Sequence, residues 1–92
     1  MRFEFKPSFD RSIKSLVPSE KEDVKKVASD LIEVLSKDKQ IHKGLGLKRL
    51  VGDYWEARQG IRVRILFRWK GDLAEFVLAG KHNDVKRFLK NI

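Results

Sequence analysis

The sequence predicts an α+β domain in which a helical hairpin covers one face of a four-stranded, mainly antiparallel sheet, in the order β-α-α-β-β-β(-α). Three observations lead there. Ile61 to Trp69 alternates strictly between apolar and mostly basic residues, the mark of a strand with two unlike faces. Two apolar stripes at helical spacing precede it, and strand-like stretches bounded by turn residues flank it. With 92 residues there is room for one hydrophobic core, so residues 1–92 are read as a single domain.

In chain order, Arg2 to Lys6 alternates, with Phe3 and Phe5 opposite Glu4, and Pro7 stops this first strand. Ser8 is read as a helix cap, with Phe9, Ile13 and Leu16 on the buried face of a helix that ends before Pro18. Ser19-Glu20-Lys21-Glu22 has the form of a capping box and predicts a second helix from Glu20 to Ser36. Its stripe is Val24, Val27, Ala28, Leu31, Val34 and Leu35. From Asp38 to Asp53, glycines and basic residues suggest a loop that enters the sheet near Leu47 to Val51. Tyr54 to Gln59 is a strand with Tyr54, Glu56 and Arg58 on one face and Trp55 and Ala57 on the other. Gln59-Gly60 is a tight turn, Ile61 to Trp69 the central strand, and Gly71-Asp72 the next turn. Leu73 to Ala79 is an apolar strand interrupted by Glu75. Asn83 to Lys90 forms a short helix with Asn83 as cap and Val85, Phe88 and Leu89 turned inward. The hairpin takes one face of the sheet, and the other is expected to stay open.

That open face carries the chemistry. On the central strand Ile61, Val63, Ile65, Phe67 and Trp69 share one side, and Arg62, Arg64, Leu66 and Arg68 the other. An unpaired guanidinium is too costly to bury dry. Residues two apart on a strand are about 6.7 Å apart, so the arginines form a row suited to successive phosphates. The competing reading pairs Arg62 and Arg68 with Glu56 and Glu75 across the strands. A formal net charge of +8 favours an anionic partner. A content of 41% hydrophobic and 37% charged residues suits a folded chain rather than a disordered one. No apolar run approaches the roughly 18 residues of a membrane span, and Met-Arg-Phe-Glu-Phe lacks the apolar core of a secretory signal. A cytoplasmic location is therefore expected. Without cysteine there is no disulfide framework and no thiolate site. With His42 and His82 as the sole histidines, neither a zinc site nor another metal site is expected. No phosphate-loop or dinucleotide glycine pattern is present, so no cofactor is expected.

The element order resembles the RelE/ParE toxin superfamily of type II toxin–antitoxin systems, and so does the wording of the second half. The residues carrying the resemblance are Tyr54-Trp55-Glu56-Ala57-Arg58, Gly60, Arg62-Val63-Arg64-Ile65-Leu66-Phe67 and Ala79-Gly80-Lys81-His82-Asn83-Asp84. The first stretch is similar to the HigB-like branch and the last to the Gly-x-His-Ser-Asp of the YafQ branch. The resemblance implies a ribosome-dependent mRNA endoribonuclease that halts translation and is silenced by a cognate antitoxin. Arg64 would match the family's catalytic-site arginine and His82 the YafQ-type histidine, while Phe88 falls near a RelE tyrosine. Trp55 and Ala57 stand where RelE has paired lysines, which makes His82 the better candidate for proton transfer.

The implied reaction is attack by a ribose 2′-OH on the adjacent phosphorus. It needs a proton acceptor, a proton donor for the leaving 5′ oxygen, and cations around the phosphate; it does not require a metal. His82 suits acid or base duty, because histidines titrate near neutrality. Arg64 and Arg58 are expected to stabilise the phosphate. Arg62, Arg68, Lys81, Lys48, Arg49 and Lys43 would contact RNA. Trp55 and Trp69 are read as core, and His42 as a surface residue. Two other readings stay open: a ParE-like inhibitor of DNA gyrase, and a non-catalytic module that binds RNA or a protein partner. The nuclease reading requires guanidinium groups that are not all locked onto carboxylates, and His82 near the groove they line.

Overall fold

Pro7 does two jobs at the start of the chain. It ends the first strand, β1 (Arg2–Phe5), and opens the first helix, α1 (Pro7–Lys14), where its fixed φ and missing N–H are harmless. The computed structural model describes residues 1–36, 45–58 and 62–92. Its other elements are α2 (Pro18–Ser36), β2 (Lys48–Val51), β3 (Tyr54–Ala57), β4 (Arg64–Lys70), β5 (Leu73–Gly80) and α3 (His82–Lys90). The strands form one sheet in the order β1-β5-β4-β3-β2, with β1 parallel to β5 and the remaining pairs antiparallel. The α+β class and the helical hairpin are as expected. The sheet has a fifth strand, because residues 48–51, read as a loop entering the sheet, pair with β3.

The expected helix starts shift by one or two residues, each for a local reason. Ser8 does not cap α1; its hydroxyl donates to the carbonyl of Val77 at 2.5 Å. Ser12, one turn on, accepts the N–H of Ala79 at 2.9 Å. The two serines thus occupy the edge of β5 beyond the end of β1, where unpaired backbone groups would otherwise lie open. Ser19 does not cap α2 either. The helix begins at Pro18, and the Glu20 carboxylate accepts the N–H of Val17 at 3.2 Å. α3 begins at His82 rather than after Asn83, with the Lys81 N–H donating to Asp84 at 2.9 Å.

The central strand is shorter than its alternation suggests. Arg62 and Val63 lie in a bend before β4, although Val63 is fully buried. The pairing register explains this: Arg64 opposes Gly80 and Ile65 opposes Ala57, where the ladders on the two sides end. β3 likewise stops at Ala57, before Arg58. The Gln59-Gly60 turn and Ile61 lie outside the described residues, as do Lys43 and His42.

The main core lies between hairpin and sheet. It joins Phe9, Val24, Val27, Leu31 and Leu35 of the helices to Ala57, Ile65, Phe67, Ala74, Phe76 and Ala79 of the strands. Trp55 and Trp69 pack half-buried against it, their rings 5.5 Å apart. Burying each large side chain contributes on the order of 1.5–3 kcal/mol before conformational entropy is subtracted.

The opposite face is not left bare. Leu66, Val77 and Val85 form a second buried cluster, joined by Leu50, Tyr54, Leu78, Phe88 and Leu89. α3 lies on it through Val85, Phe88 and Leu89, the three residues expected to turn inward. The expectation of an open face is therefore corrected in part. The cause is a bulge in β5: Leu66 opposes Leu78 but Phe67 opposes Phe76, leaving Val77 as an extra residue. Val77 and Leu78 consequently share one face, giving α3 an apolar seat.

Candidate functional site

Charge on the α3 side of the sheet divides into two regions. At the end near the β4–β5 turn, Arg68 lies 3.5 Å from Glu75 and 3.8 Å from Asp53. Glu75 also receives Lys6 at 2.8 Å, and Lys6 reaches Glu4 at 3.2 Å. Asp53, Arg68, Glu75, Lys6 and Glu4 thus alternate in sign across the sheet, three carboxylates to two cations. Arg68 is spent here, as the cross-strand alternative anticipated, and it lies four residues, about 13 Å, from Arg64.

This row makes stability sensitive to acid. The hydrogen bond from Lys6, aided by its charge and that of Arg68, holds the Glu75 carboxyl below the ordinary glutamate range despite some desolvation. The same bond, with that to Glu4, raises the Lys6 ammonium. A lowered carboxyl contributes stability that is complete above its unfolded pKa and lost as pH falls through its folded one. The urea midpoint should therefore begin to fall near pH 4.3, the ordinary glutamate value, and keep falling below it. Glu75→Gln should lower the midpoint at pH 7 and flatten the acid decline, as followed by circular dichroism.

At the other end the cations are gathered rather than cancelled. Arg64 begins β4 beside Gly80, the last residue of β5, and Lys81 and His82 follow directly. Arg58 comes one step after the Ala57–Ile65 pair, so its register position is beside Arg64. Arg58, Arg62, Lys81 and His82 are exposed. The sheet therefore brings Arg58, Arg62, Arg64, Lys81 and His82 to one rim. Lys48 approaches from β2, opposite Glu56. Arg49 does not join them: it aligns with Trp55 and lines a hollow with Trp55 and Trp69 on the hairpin side, its Nε donating to the Gly52 carbonyl at 2.9 Å.

Glu56 sits inside this cluster, and sequence reasoning gave it only a structural part. Its carboxylate lies 3.2 Å from Nε of Arg64, and the two side chains are 14% and 15% exposed. The Nε–H is buried and not aligned for a hydrogen bond, so the contact is one of charge. Glu56 was expected to face Arg62 or Arg68; the register puts it opposite Leu66 instead, one diagonal step from Arg64. The available signal was the i, i+2 relation of Glu56 to Arg58 on a strand, which places a carboxylate among the cations.

His82 is held by its neighbours in sequence. A Cβ on Gly80 would come within 2.8 Å of the Asp84 Cβ, so glycine lets Asp84 fold back and cap Lys81. That contact sets the angle at which α3 leaves the sheet, with His82 as its first residue. Arg58 is held by its backbone: its N–H donates to the Leu45 carbonyl at 2.8 Å, and Gly46 packs against its carbonyl with φ +55°.

No protein-family model matches this chain, and no curated protein does. Solved structures match it at the level of fold. The RelB–RelE antitoxin–toxin complex of Methanococcus jannaschii aligns with a TM-score of 0.69 at 17% identity, covering 92% of this chain and 96% of that one. The DinJ–YafQ complex of E. coli gives 0.69 at 14%, covering 92% and 98%. The YoeB/ParE toxin of Agrobacterium tumefaciens gives 0.61 at 19%, covering 89% and 99%. The structural neighbours are thus RelE, YafQ and YoeB/ParE toxins, and the chain has their fold across nearly its whole length.

Proposed function

We propose that this chain, built on the fold of the RelE/ParE toxins, is the toxin of a toxin–antitoxin pair and cleaves mRNA. The observation that supports the reading is the rim where Arg64, 3.2 Å from the Glu56 carboxylate, lies beside the register position of Arg58 and the end of β5 that leads into His82. In the reaction, Glu56 takes the proton of a ribose 2′-OH as that oxygen attacks the adjacent phosphorus. The P–O5′ bond breaks, and His82 gives its proton to the departing 5′ oxygen, leaving a 2′,3′-cyclic phosphate. Arg64 and Arg58 hold the non-bridging oxygens as charge builds on them. Phosphate and Glu56 compete for the Arg64 guanidinium, so substrate binding frees the carboxylate to accept a proton. Arg62, Lys81 and Lys48 steer the strand toward the rim.

The test is induced expression with mapping of message ends by primer extension in a translating extract. Arrested growth and discrete new 5′ ends on ribosome-bound messages support the reading. Intact messages with normal growth overturn it, and intact messages with DNA damage signalling point to gyrase instead.

The silencing partner is an antitoxin, which is what RelB and DinJ are in the complexes that share this fold. The groove between α1 and α2, about 780 Å³, suits an amphipathic segment of such a protein. It is lined by Phe5, Phe9, Ile13, Ala28 and Ile32, with Lys14, Lys21 and Lys25 among its lining residues. Phe5 is 47% exposed there, which favours an apolar partner surface bearing some acidic residues. Lys21→Glu with Lys25→Glu, two exposed groove residues, should weaken co-purification of the cognate antitoxin at least tenfold while leaving RNA cleavage unchanged; titration calorimetry measures the first and primer extension the second.

A further inference from the structure

We infer that the outer face of α3 is a track for the RNA backbone, running from His82 through Lys86 to Lys90. The inference rests on the proposal that the protein handles RNA, and it adds the path that the strand takes.

A strand bound at the rim has two directions in which to leave over this face. Down the sheet it would meet Arg68 and Lys6, but these belong to the alternating row of five charges whose sum is one negative. That path offers no net attraction to phosphate. Along α3 the balance is different. His82, Asn83, Lys86, Arg87 and Lys90 are all exposed, and they fall at the i, i+1, i+4, i+5 and i+8 positions of one stripe. Val85, Phe88 and Leu89 take the inner face. The one acid of the helix, Asp84, is turned back to cap Lys81 and lies 3.5 Å from Arg87. Among the described residues, neither Lys86 nor Lys90 has a carboxylate within ion-pair reach. Asn83, Lys86, Arg87, Leu89 and Lys90 also line a shallow hollow of about 600 Å³ along the helix.

The geometry gives the track a scale. A step of four residues along a helix rises about 6 Å, so Lys90 lies about 12 Å along the axis from His82. Phosphates beyond the reacting one would meet Lys86 first and Lys90 second. Neither lysine touches the reacting atoms, so their part is in binding alone.

The test uses the full chain and a single-stranded RNA oligonucleotide with every 2′-OH methylated, which cannot be cut. Its affinity is measured by fluorescence anisotropy from low to moderate salt. Each phosphate neutralised on a single strand contributes about −0.7 to the slope of log K against log salt. Lys86→Ala with Lys90→Ala should therefore make the slope shallower by about 1.4. Arg11→Ala with Lys26→Ala, two exposed cations on the hairpin, should leave it unchanged. Equal slopes for the wild type and the α3 double variant overturn the track, as does an oligonucleotide that wild-type protein fails to bind at low salt. A shallower slope in a protein that never cuts messages keeps the track and removes the nuclease.

Discussion

His82→Ala should lower the rate of RNA cleavage by about a hundredfold to ten-thousandfold, the range for loss of one general acid or base. Binding of an uncleavable strand should barely change, because the imidazole acts on the leaving oxygen while Arg58, Arg64 and the lysines hold the phosphates. Glu56→Gln should cause a loss of similar size, because an amide cannot take the 2′-OH proton. It should also leave Arg64 without its counter-charge 3.2 Å away, so binding of the uncleavable strand should tighten. Rate loss with tighter binding separates a catalytic carboxylate from a purely structural one, whose removal would weaken both. Single-turnover cleavage beside binding of the uncleavable strand makes the measurement, and a Glu56→Gln protein that cuts RNA at the wild-type rate would exclude this assignment.

Gly46→Ala should destabilise the fold more than alanine at Gly52 or Gly71. Among the described residues, three glycines have positive φ: Gly46 and Gly52 at 55° and Gly71 at 60°. In each, an alanine meets the intrinsic cost of the left-handed region, about 1–2 kcal/mol. At Gly52 and Gly71 nothing lies within 4 Å of the added carbon, so the loss should stop there. At Gly46 the carbon would overlap the carbonyl oxygen of Arg58, and that oxygen belongs to backbone that cannot swing aside. Its own residue is tied by the Arg58 N–H to Leu45, whose side chain is 1% exposed in the main core. Relief requires moving the backbone of Leu45 and Gly46 or the end of β3. The total should reach about 3 kcal/mol or more, measured by urea unfolding beside Gly52→Ala and Gly71→Ala. Because Leu45 and Gly46 hold the Arg58 backbone, the surviving folded fraction should also bind RNA less tightly.

What could be read from the residues alone was whatever depends on local periodicity. The stripe from Val24 to Leu35 identified α2, and the alternation around Arg64 identified the central strand. β2 was harder to read as a strand. It has four residues, and a register shift between Arg49 and Val51 spoils its alternation. The residues alone group His82, Arg64 and Arg58 with Arg62, Arg68 and Lys81, and the register brings all of these but Arg68 to one end of the sheet. Pairings across strands are another matter, since they depend on register, which no single strand encodes. The alternation of the central strand therefore could not say that Arg68 would be absorbed by Asp53 and Glu75. Nor could it say that Glu56 would choose Arg64. Arg49 was grouped with Lys48 by adjacency, yet neighbours on a strand point to opposite sides, and the two part company.

The extra residue at Val77 carries a consequence for chain length. Leu66 faces Leu78 and Phe67 faces Phe76, so the pairs on either side keep a regular alternation without it. A one-codon deletion of Val77 should therefore leave Gly80 beside Arg64 and the imidazole on the same side of the sheet. What it would remove is one of the buried side chains beneath α3, so the helix should be held less firmly while the histidine keeps its arginines.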